Sequence, residues 1–301
     1  MHTGRALAGI LPFLPRSLVW AVARRYVAGS TLEDALRVTA ELAQRKRLVT
    51  LDVLGEQFSS REQVMLMMAE YERALGELEH DHKSGTLSVM MTGFGLRLDR
   101  HLCWENLRRL ANDAANRAIG LTLNMEDSST VDATLDTYRR LRAEGFDRIG
   151  IVLQSCLRRT LDDLAALAHL QPRVRIVKGI WHEPDSVAYL DAQTIRQNYL
   201  AILEGLIACG GYPEVATHDE WLIERSLGLL GRLSPAQYEF QMLLGVTPKR
   251  GDRLIAGGHR LRVYVPYGRD WYAYSLRRLR ENPEMAQYIA RDAIAGLFTV
   301  E

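Results

Sequence analysis

The sequence predicts an α/β protein built as a distorted (β/α)8 barrel of the TIM type. Short β-branched or apolar runs recur over about 250 residues, and segments with the period of an amphipathic helix separate them. The alternative, an open doubly wound sheet, usually carries a glycine-rich nucleotide loop after its first strand, whereas Gly55 stands alone here. The predicted strands are Leu48–Val53, Leu87–Met91, Gly120–Leu123, Arg148–Leu153, Val174–Val177, Glu214–Ala216, Tyr238–Leu243 and Leu261–Val265.

Apolar spacing and capping residues mark the helices between these strands. Thr134–Leu141 and Leu161–Leu170 place apolar side chains three and four residues apart, which is the spacing of one helix face. Ser60 and Asp270 each stand one residue before a predicted helix, where short polar side chains cap free backbone N–H groups. We therefore expect a helix after each of these residues.

The chain divides into two predicted regions. Residues 1–47 precede the first strand, and we expect them to form two or three helices packed on the barrel of residues 48–301, which ends in a helix. The most apolar early stretch, Ala6–Val22, is interrupted by Pro12, Pro15 and Arg16, so it is too short for a membrane span. The prediction is a cytoplasmic protein without an integral membrane segment, with a peripheral membrane contact as the alternative.

Composition and charge exclude several classes of protein. The 301 residues are 47% hydrophobic with a net charge of +1, which argues against a disordered chain and against a nucleic-acid partner. The three cysteines are far apart, so neither a disulfide framework nor a cysteine zinc site is expected. His80 and His82 flank one acid in a polar linker, which we interpret as a loop, so no metal is predicted.

Polar residues gather at the carboxyl ends of the predicted strands, where the active sites of such barrels lie. Arg175 and Gln241 are the most informative, because a charge or amide inside an apolar strand is costly unless it is paired. A structural ion pair and a ligand contact are both open for Arg175. The other residues at strand ends are Asn124, Glu126, Gln154, Lys178, Gly179, Thr217, His218, Asp219, Tyr264 and Tyr267.

The helix after the last strand carries a second signal. Tyr274 lies three and four residues before Arg277 and Arg278, and Glu281 lies four and three residues after them, so the four side chains share one face. Guanidinium forks suit a carboxylate or a phosphate. A solvated charged face is the alternative, but this helix follows strand eight and its start faces the barrel mouth.

Six motifs stand at the predicted strand ends and on the last helix. They are LGE at Leu54–Glu56, RIVKG at Arg175–Gly179, ATHD at Ala216–Asp219, EFQML at Glu239–Leu243, RVYVPYG at Arg262–Gly268 and YSLRR at Tyr274–Arg278. With these motifs in this order, the chain resembles the proline dehydrogenases, most closely the short single-function bacterial type. The resemblance runs from about Arg24 to about Asn282.

The resemblance implies a barrel that holds FAD without a Rossmann domain and oxidises a secondary amine to an imine by hydride transfer to flavin N5. It implies that Arg175 approaches the N5 region and that Gln154 bonds the pyrimidine edge. The rest of the cofactor would be held by Lys178, Gly179, Thr217 and His218. An electron acceptor, either oxygen, a quinone or another oxidant, is implied as well.

The resemblance also implies a substrate pocket for a carboxylated amine. Arg277 and Arg278 would clamp the carboxylate, with Glu281 bracing them, and Leu243 would wall the substrate ring. The expected catalytic residues are Arg175, Tyr264 and Tyr274.

Three pocket positions depart from the family's pattern. Met90 stands where the family usually has a lysine, Asn124 where it has an aspartate and Trp181 where it has a tyrosine. Removal of only one partner of a buried charge pair costs several kcal/mol, so the joint change of lysine and aspartate indicates a remodelled pocket. The preferred hypothesis is therefore a dehydrogenase or oxidase of an unusual, N-substituted or proline-like amino acid.

Three alternatives remain from the sequence. The first is an ordinary L-proline dehydrogenase that tolerates the three changes. The second is a catalytically inactive flavin barrel that serves as a binding module. The third is a Schiff-base aldolase that uses Lys178, since lysines on barrel strands support that chemistry.

Overall fold

The computed structural model describes residues 16–55, 58–81 and 85–281, and the structural statements below concern these residues. Eight parallel strands pair in chain order, and the last closes on the first, so the sheet is a complete barrel. This confirms the predicted fold class. The strands are β1 (Leu48–Val53), β2 (Thr86–Val89), β3 (Gly120–Leu123), β4 (Ile149–Gln154), β5 (Arg173–Val177), β6 (Tyr212–Ala216), β7 (Glu239–Leu243) and β8 (Leu261–Tyr267).

The helices follow the strands in the alternation that the sequence predicts. Two precede the barrel and the others come after its strands. The helices are α1 (Arg16–Ala23), α2 (Leu32–Gln44), α3 (Arg61–Asp81), α4 (Arg100–Asn116), α5 (Val131–Ala143), α6 (Thr160–Leu167), α7 (Ala192–Ala208), α8 (Glu220–Leu230), α9 (Pro248–Ala256) and α10 (Trp271–Glu281).

Both predicted helix starts agree with the structure. Helix α3 begins directly after Ser60, whose hydroxyl accepts a hydrogen bond from the backbone N–H of Gln63. The amide oxygen of Gln63 accepts in turn from the backbone N–H groups of Ser59 and Ser60. Helix α10 begins directly after Asp270.

Five predicted strand starts shift by one or two residues, β4 ends one residue later than predicted, and the ends of β2 and β8 differ by two residues. Strand β2 stops at Val89, before the predicted Met91, because Thr92 donates through its backbone N–H and its hydroxyl to Glu126 and the chain turns away from the sheet. Strand β8 continues past Val265 to Tyr267 because its pairing with β1 extends that far. The backbone oxygen of Tyr267 also accepts a hydrogen bond from the backbone N–H of Leu54, the residue after β1, at 2.8 Å.

The barrel interior is unusually polar. Such interiors are normally filled by branched aliphatic side chains. Here the interior holds an ion-pair cluster, in which Arg173 pairs with Glu214 and Glu239, and Arg262 pairs with Glu239. Each charge has an opposite partner, which offsets the cost of taking it out of water. The apolar core lies instead between the outer faces of the strands and the helices.

The segment before the barrel packs at the barrel mouth. Trp20 of α1 meets Trp271 of α10 with ring centroids 4.7 Å apart, and the buried Tyr26 packs in the same cluster as Tyr274. The division into residues 1–47 and 48–301 stays a prediction, because residues 1–15 and 282–301 lie outside the described chain, as do Glu56 and His82. None of the described helices combines the length and apolarity that crossing a membrane requires.

Candidate active site

A cavity of about 490 Å³ opens at the carboxyl ends of the strands, within the size range of small-molecule sites. The sequence-predicted site residues meet there, although they come from the ends of seven strands, β2 to β8, and from α10. Those lining the cavity are Met90, Asn124, Gln154, Arg175, Lys178, Gly179, Trp181, Thr217, His218, Leu243, Tyr264, Tyr274, Arg277 and Arg278. The side chain of Glu281 lies outside the described part of the structure, so its bracing role stays a prediction.

Arg175 of β5 is held from several sides. Its Nε donates to Gln241 Oε1 at 2.7 Å, and its Nη1 donates to Ser88 Oγ at 3.0 Å and to Asn124 Oδ1 at 3.2 Å. The guanidinium carbon lies 5.0 Å from the centroid of the Tyr264 ring. Nη2 is buried and has no hydrogen-bond partner among the described residues. Arg175 therefore joins a structural network, and its Nη2 is left without a protein partner; contact with a ligand stays a prediction.

Asn124 belongs to the same network. Its Oδ1 accepts from Ser88 Oγ at 2.8 Å as well as from Arg175, and its Nδ2 donates to the Tyr264 hydroxyl at 3.3 Å. Because a guanidinium can only donate, the amide oxygen must face Arg175. The amide thus supplies the acceptor that a carboxylate would supply here, without its charge.

Helix α10 places two guanidiniums over the cavity. Arg277 and Arg278 are half-buried, and both lie near the buried ring of Tyr274, at 6.0 and 5.1 Å from its centroid. Arg277 also lies 5.8 Å from the ring of Trp181, at the position that departs from the family pattern. Burial raises the pKa of the Tyr274 hydroxyl to about 12, so it is a neutral donor at physiological pH.

Lys178 and His218 also line the cavity. The ammonium of Lys178 lies 2.7 Å from Asp219 Oδ2, and an amine engaged in an ion pair is a poor nucleophile, which argues against the aldolase alternative. His218 Nε2 accepts from the backbone N–H of Leu243 at 3.0 Å. Burial lowers the pKa of His218 to about 4, and nearby Arg250 adds to the effect. The imidazole is therefore neutral and carries its proton on Nδ1.

A glycine shapes the edge between β4 and β5. Gly179 adopts a φ of +104°, and a Cβ at this position would lie 2.2 Å from Cys156 Sγ and 3.1 Å from Gln154 Oε1. Gln154 donates through Nε2 to the backbone oxygen of Glu126 at 2.8 Å. The turn after β5 can therefore adopt this path only with glycine, and it fixes Lys178 beside the cavity.

Sequence reasoning missed Asp52 of β1, which also lines the cavity. Its side chain is 2% exposed, and its Oδ1 has no hydrogen-bond partner among the described residues. Burial raises the pKa of Asp52 to about 6, although a hydrogen bond with Tyr264 and the charge of Arg278 oppose this. The signal was present, because an aspartate inside the apolar run of β1 is as unusual as Arg175 inside β5.

Asp52 makes a testable contribution to stability. The folded protein holds this proton up to about pH 6, whereas an unfolded chain releases it near 3.8, so the free energy of unfolding falls as pH rises through this window. Asp52→Asn removes that loss. As the pH rises from 4 to 7, we expect the free energy of unfolding of the variant to increase by about 2–3 kcal/mol relative to that of the parent. Urea unfolding at both pH values measures the gain. Asp147→Asn, at an exposed side chain, is the control and should follow the pH profile of the parent. If the stability of Asp52→Asn also ran parallel to that of the parent over this pH range, the assignment would be contradicted.

The charge of the cavity favours an anionic ligand. The basic side chains that line it, Arg175, Lys178, Arg277 and Arg278, outnumber the carboxylates, Asp52 and Asp219. A carboxylate or phosphate group that enters would therefore meet charge-assisted donors on two walls.

Sequence comparison places this chain among known enzymes. A family model described as proline dehydrogenase matches residues 35–291. Proline dehydrogenase 1 of Bacillus subtilis (strain 168) is 34% identical over 271 residues, covering 89% of each chain. Proline dehydrogenase of Deinococcus radiodurans is 36% identical over 292 residues, covering 94% of this chain and 93% of its own.

Structural comparison supports the fold assignment. Proline utilization A (PutA) of Bdellovibrio bacteriovorus, inactivated by N-propargylglycine, superimposes with a TM-score of 0.81 at 23% identity. The match covers 87% of this chain and 33% of that one, so this chain spans about a third of the PutA length. A PutA structure with proline bound in remote sites gives a TM-score of 0.75 at 21% identity. By sequence, with the fold in agreement, the chain belongs to the proline dehydrogenase family.

Proposed function

We propose that this member of the family oxidises the C–N bond of a carboxylated secondary amine, with L-proline as the first candidate. Enzymes of the family are FAD-dependent oxidoreductases. The observation that carries the proposal is the pair Arg277 and Arg278, set over a cavity on whose wall Arg175 keeps one donor free of protein partners. The guanidinium pair suits an acidic substrate, and the buried cation suits a cofactor on which negative charge develops as it is reduced.

The residues present fit FAD. Arg175 Nη2 is a buried donor without a protein partner, and the neutral His218 also lines the cavity. Lys178 lines the cavity beside the tight turn at Gly179, where its ammonium would attract an anionic part of the cofactor. We propose that these residues, together with Gln154 and Thr217, hold the cofactor.

When bound, FAD accepts the hydrogen and the electron pair that leave the substrate carbon next to nitrogen. The protein's part is to place that carbon. Arg277 and Arg278 would grip the carboxylate, and Tyr264 and Tyr274 would limit how the substrate ring can turn. The charge of Arg175 would stabilise the negative charge that develops on the acceptor side of the cavity.

The contacts of Asn124 favour L-proline over an unusual substrate. Asn124 hydrogen-bonds to Ser88, Arg175 and Tyr264, so its amide is engaged with the protein rather than directed at a substrate amine. The names of the relatives point in the same direction. A second candidate, a proline analogue or an N-substituted amino acid, is favoured by Met90, which gives the cavity an apolar side chain where the family has a lysine.

Anaerobic titration of the FAD-loaded protein tests the proposal. We expect L-proline to bleach the oxidised flavin absorbance at low substrate concentration, and N-methylproline and pipecolic acid to do so less well. Bleaching by an analogue but not by L-proline would favour the second candidate. Protein that binds no FAD after reconstitution, or flavin that no carboxylated amine reduces, would reject both candidates and leave a binding module.

The double change Met90→Lys with Asn124→Asp separates the two candidates. If L-proline is the substrate, the site already works, and we expect kcat/KM for L-proline to stay within about threefold of the parent. An increase of tenfold or more, which equals about 1.4 kcal/mol of transition-state stabilisation, would show that Met90 and Asn124 exclude proline. Asn124→Asp alone is the control, because it restores a charge without the lysine.

A further inference from the structure

Gln241 of β7 lines the cavity floor and is 4% exposed. Its Oε1 accepts from Arg175 Nε at 2.7 Å, and its Nε2 donates to Glu214 Oε2 at 2.6 Å and to Glu239 Oε1 at 2.8 Å. Both amide hydrogens and the amide oxygen are therefore engaged with buried, charged partners. The orientation of the amide follows from chemistry, because carboxylates only accept and a guanidinium only donates. A flipped amide would set oxygen against oxygen and N–H against N–H.

The two carboxylates that hold Gln241 are themselves fixed. Glu239 Oε1 accepts from Arg262 Nε at 2.5 Å, and its Oε2 lies 3.2 Å from Arg173 Nη2. Glu214 is paired with Arg173. Burial raises the pKa of Glu239, but Arg262 and Arg173 outweigh it and bring that pKa down to about 2. Gln241 is thus anchored on a permanently ionised cluster inside the barrel.

Gln241 also keeps the carboxylates at a distance from Arg175. Arg175 Nε lies 3.8 Å from Glu214 Oε2, beyond hydrogen-bond distance, and its close acceptors are neutral. A neutral acceptor orients a guanidinium without cancelling its charge, whereas a carboxylate at 2.7 Å would do both. Since Nη1 is taken by Ser88 and Asn124, Nη2 is the donor that remains for a ligand.

We propose that Gln241 is a positioning residue, which transmits the fixed geometry of the Glu214–Glu239 cluster to Arg175 and leaves the positive charge of Arg175 available to bound FAD. The inference rests on the proposed function, in which Arg175 lies beside the flavin. Reduction adds negative charge to the flavin, so a correctly placed Arg175 binds reduced FAD more tightly than oxidised FAD.

The test compares the reduction potential of bound FAD in the parent, Gln241→Met and Gln197→Met, where Gln197 is an exposed residue of α7 and serves as the matched control. Methionine has a similar shape but cannot orient Arg175. We expect the affinity for reduced FAD to fall at least tenfold more than that for oxidised FAD, which for a two-electron couple lowers the potential by about 30 mV. Gln197→Met should leave the potential unchanged. If Gln241→Met does not fold, Gln241→Asn, which is too short to span both partners, replaces it with the same expected shift.

A second arm shows whether Gln241 acts through Arg175. In an Arg175→Met background, Gln241→Met should cause no further change in potential. A folded Gln241 variant with lowered thermal stability and an unchanged potential would overturn the inference, because the role would then be structural only. A potential moved by Arg175→Met but not by Gln241→Met would overturn the inference and leave the proposed function standing. A potential moved by neither would reject the placement of Arg175 beside the flavin and overturn the inference, whereas the proposed function fails only if no carboxylated amine reduces the flavin in the anaerobic titration.

Discussion

Arg175→Met is expected to slow the anaerobic reduction of bound flavin by L-proline about 100- to 1000-fold, the usual effect of removing a charge that stabilises the transition state. The same change leaves Gln241, Ser88 and Asn124 without their buried donor. Loss of one member of such a buried network costs about 3–5 kcal/mol of stability. Stopped-flow absorbance at saturating substrate measures the first effect, and urea unfolding measures the second.

A conservative variant, Arg175→Lys, separates charge from geometry at this position. Arg175→Lys keeps the charge but not the planar fork, so we expect it to recover part of the rate and little of the hydrogen bonding. Arg158→Met, at an exposed arginine paired with Asp185, is the matched control and should behave like the parent. A folded Arg175→Met protein that reduces its flavin at the parent rate would remove Arg175 from the catalytic set.

The second large effect is expected at the guanidinium pair. Arg277→Ala or Arg278→Ala should weaken binding of L-proline by about 2–4 kcal/mol, a rise in dissociation constant of about 30- to 1000-fold, because the substrate carboxylate loses a charge-assisted partner. Anaerobic titration of the flavin absorbance measures the binding. The amine pyrrolidine lacks the carboxylate, so both variants should bind it as the parent does.

The matched control for the pair is Arg139→Ala, at a partly exposed arginine of α5 paired with Asp136 and outside the cavity lining. It should leave both ligands unaffected. An equal loss of affinity for L-proline and pyrrolidine in the α10 variants would mean that the arginines shape the cavity rather than grip the acid group. Unchanged affinity for L-proline would remove the clamp altogether.

Much of the fold could be predicted from the sequence, because strand and helix periodicity are local properties. The eight apolar runs, the Ser60 cap and the start of α10 after Asp270 all needed only neighbouring residues. The strand ends at Val89 and Tyr267 could not be placed, since they depend on contacts with Glu126 and β1. Local patterns set the elements, and distant partners set where two of them end.

The candidate site divides in the same way. Its lining could be predicted, because residues at the carboxyl ends of barrel strands must converge and because Arg277 and Arg278 share one helix face. The sequence alone interpreted Asn124 as part of a remodelled substrate pocket and assigned Asp52 no role. The structure places Asn124 in the hydrogen-bond network of Arg175 and Tyr264.

By itself, the sequence determined the barrel, the cavity's position and the chemical character of its lining. Only the tertiary structure decided which polar groups satisfy each other and which remain for a ligand: Gln241 is engaged fully, whereas Arg175 Nη2 and Asp52 Oδ1 are not. The reason is physical. Hydrogen bonds need donor and acceptor within about 3 Å, and the partners come from strands far apart in the chain, so their pairing is fixed only when the barrel closes.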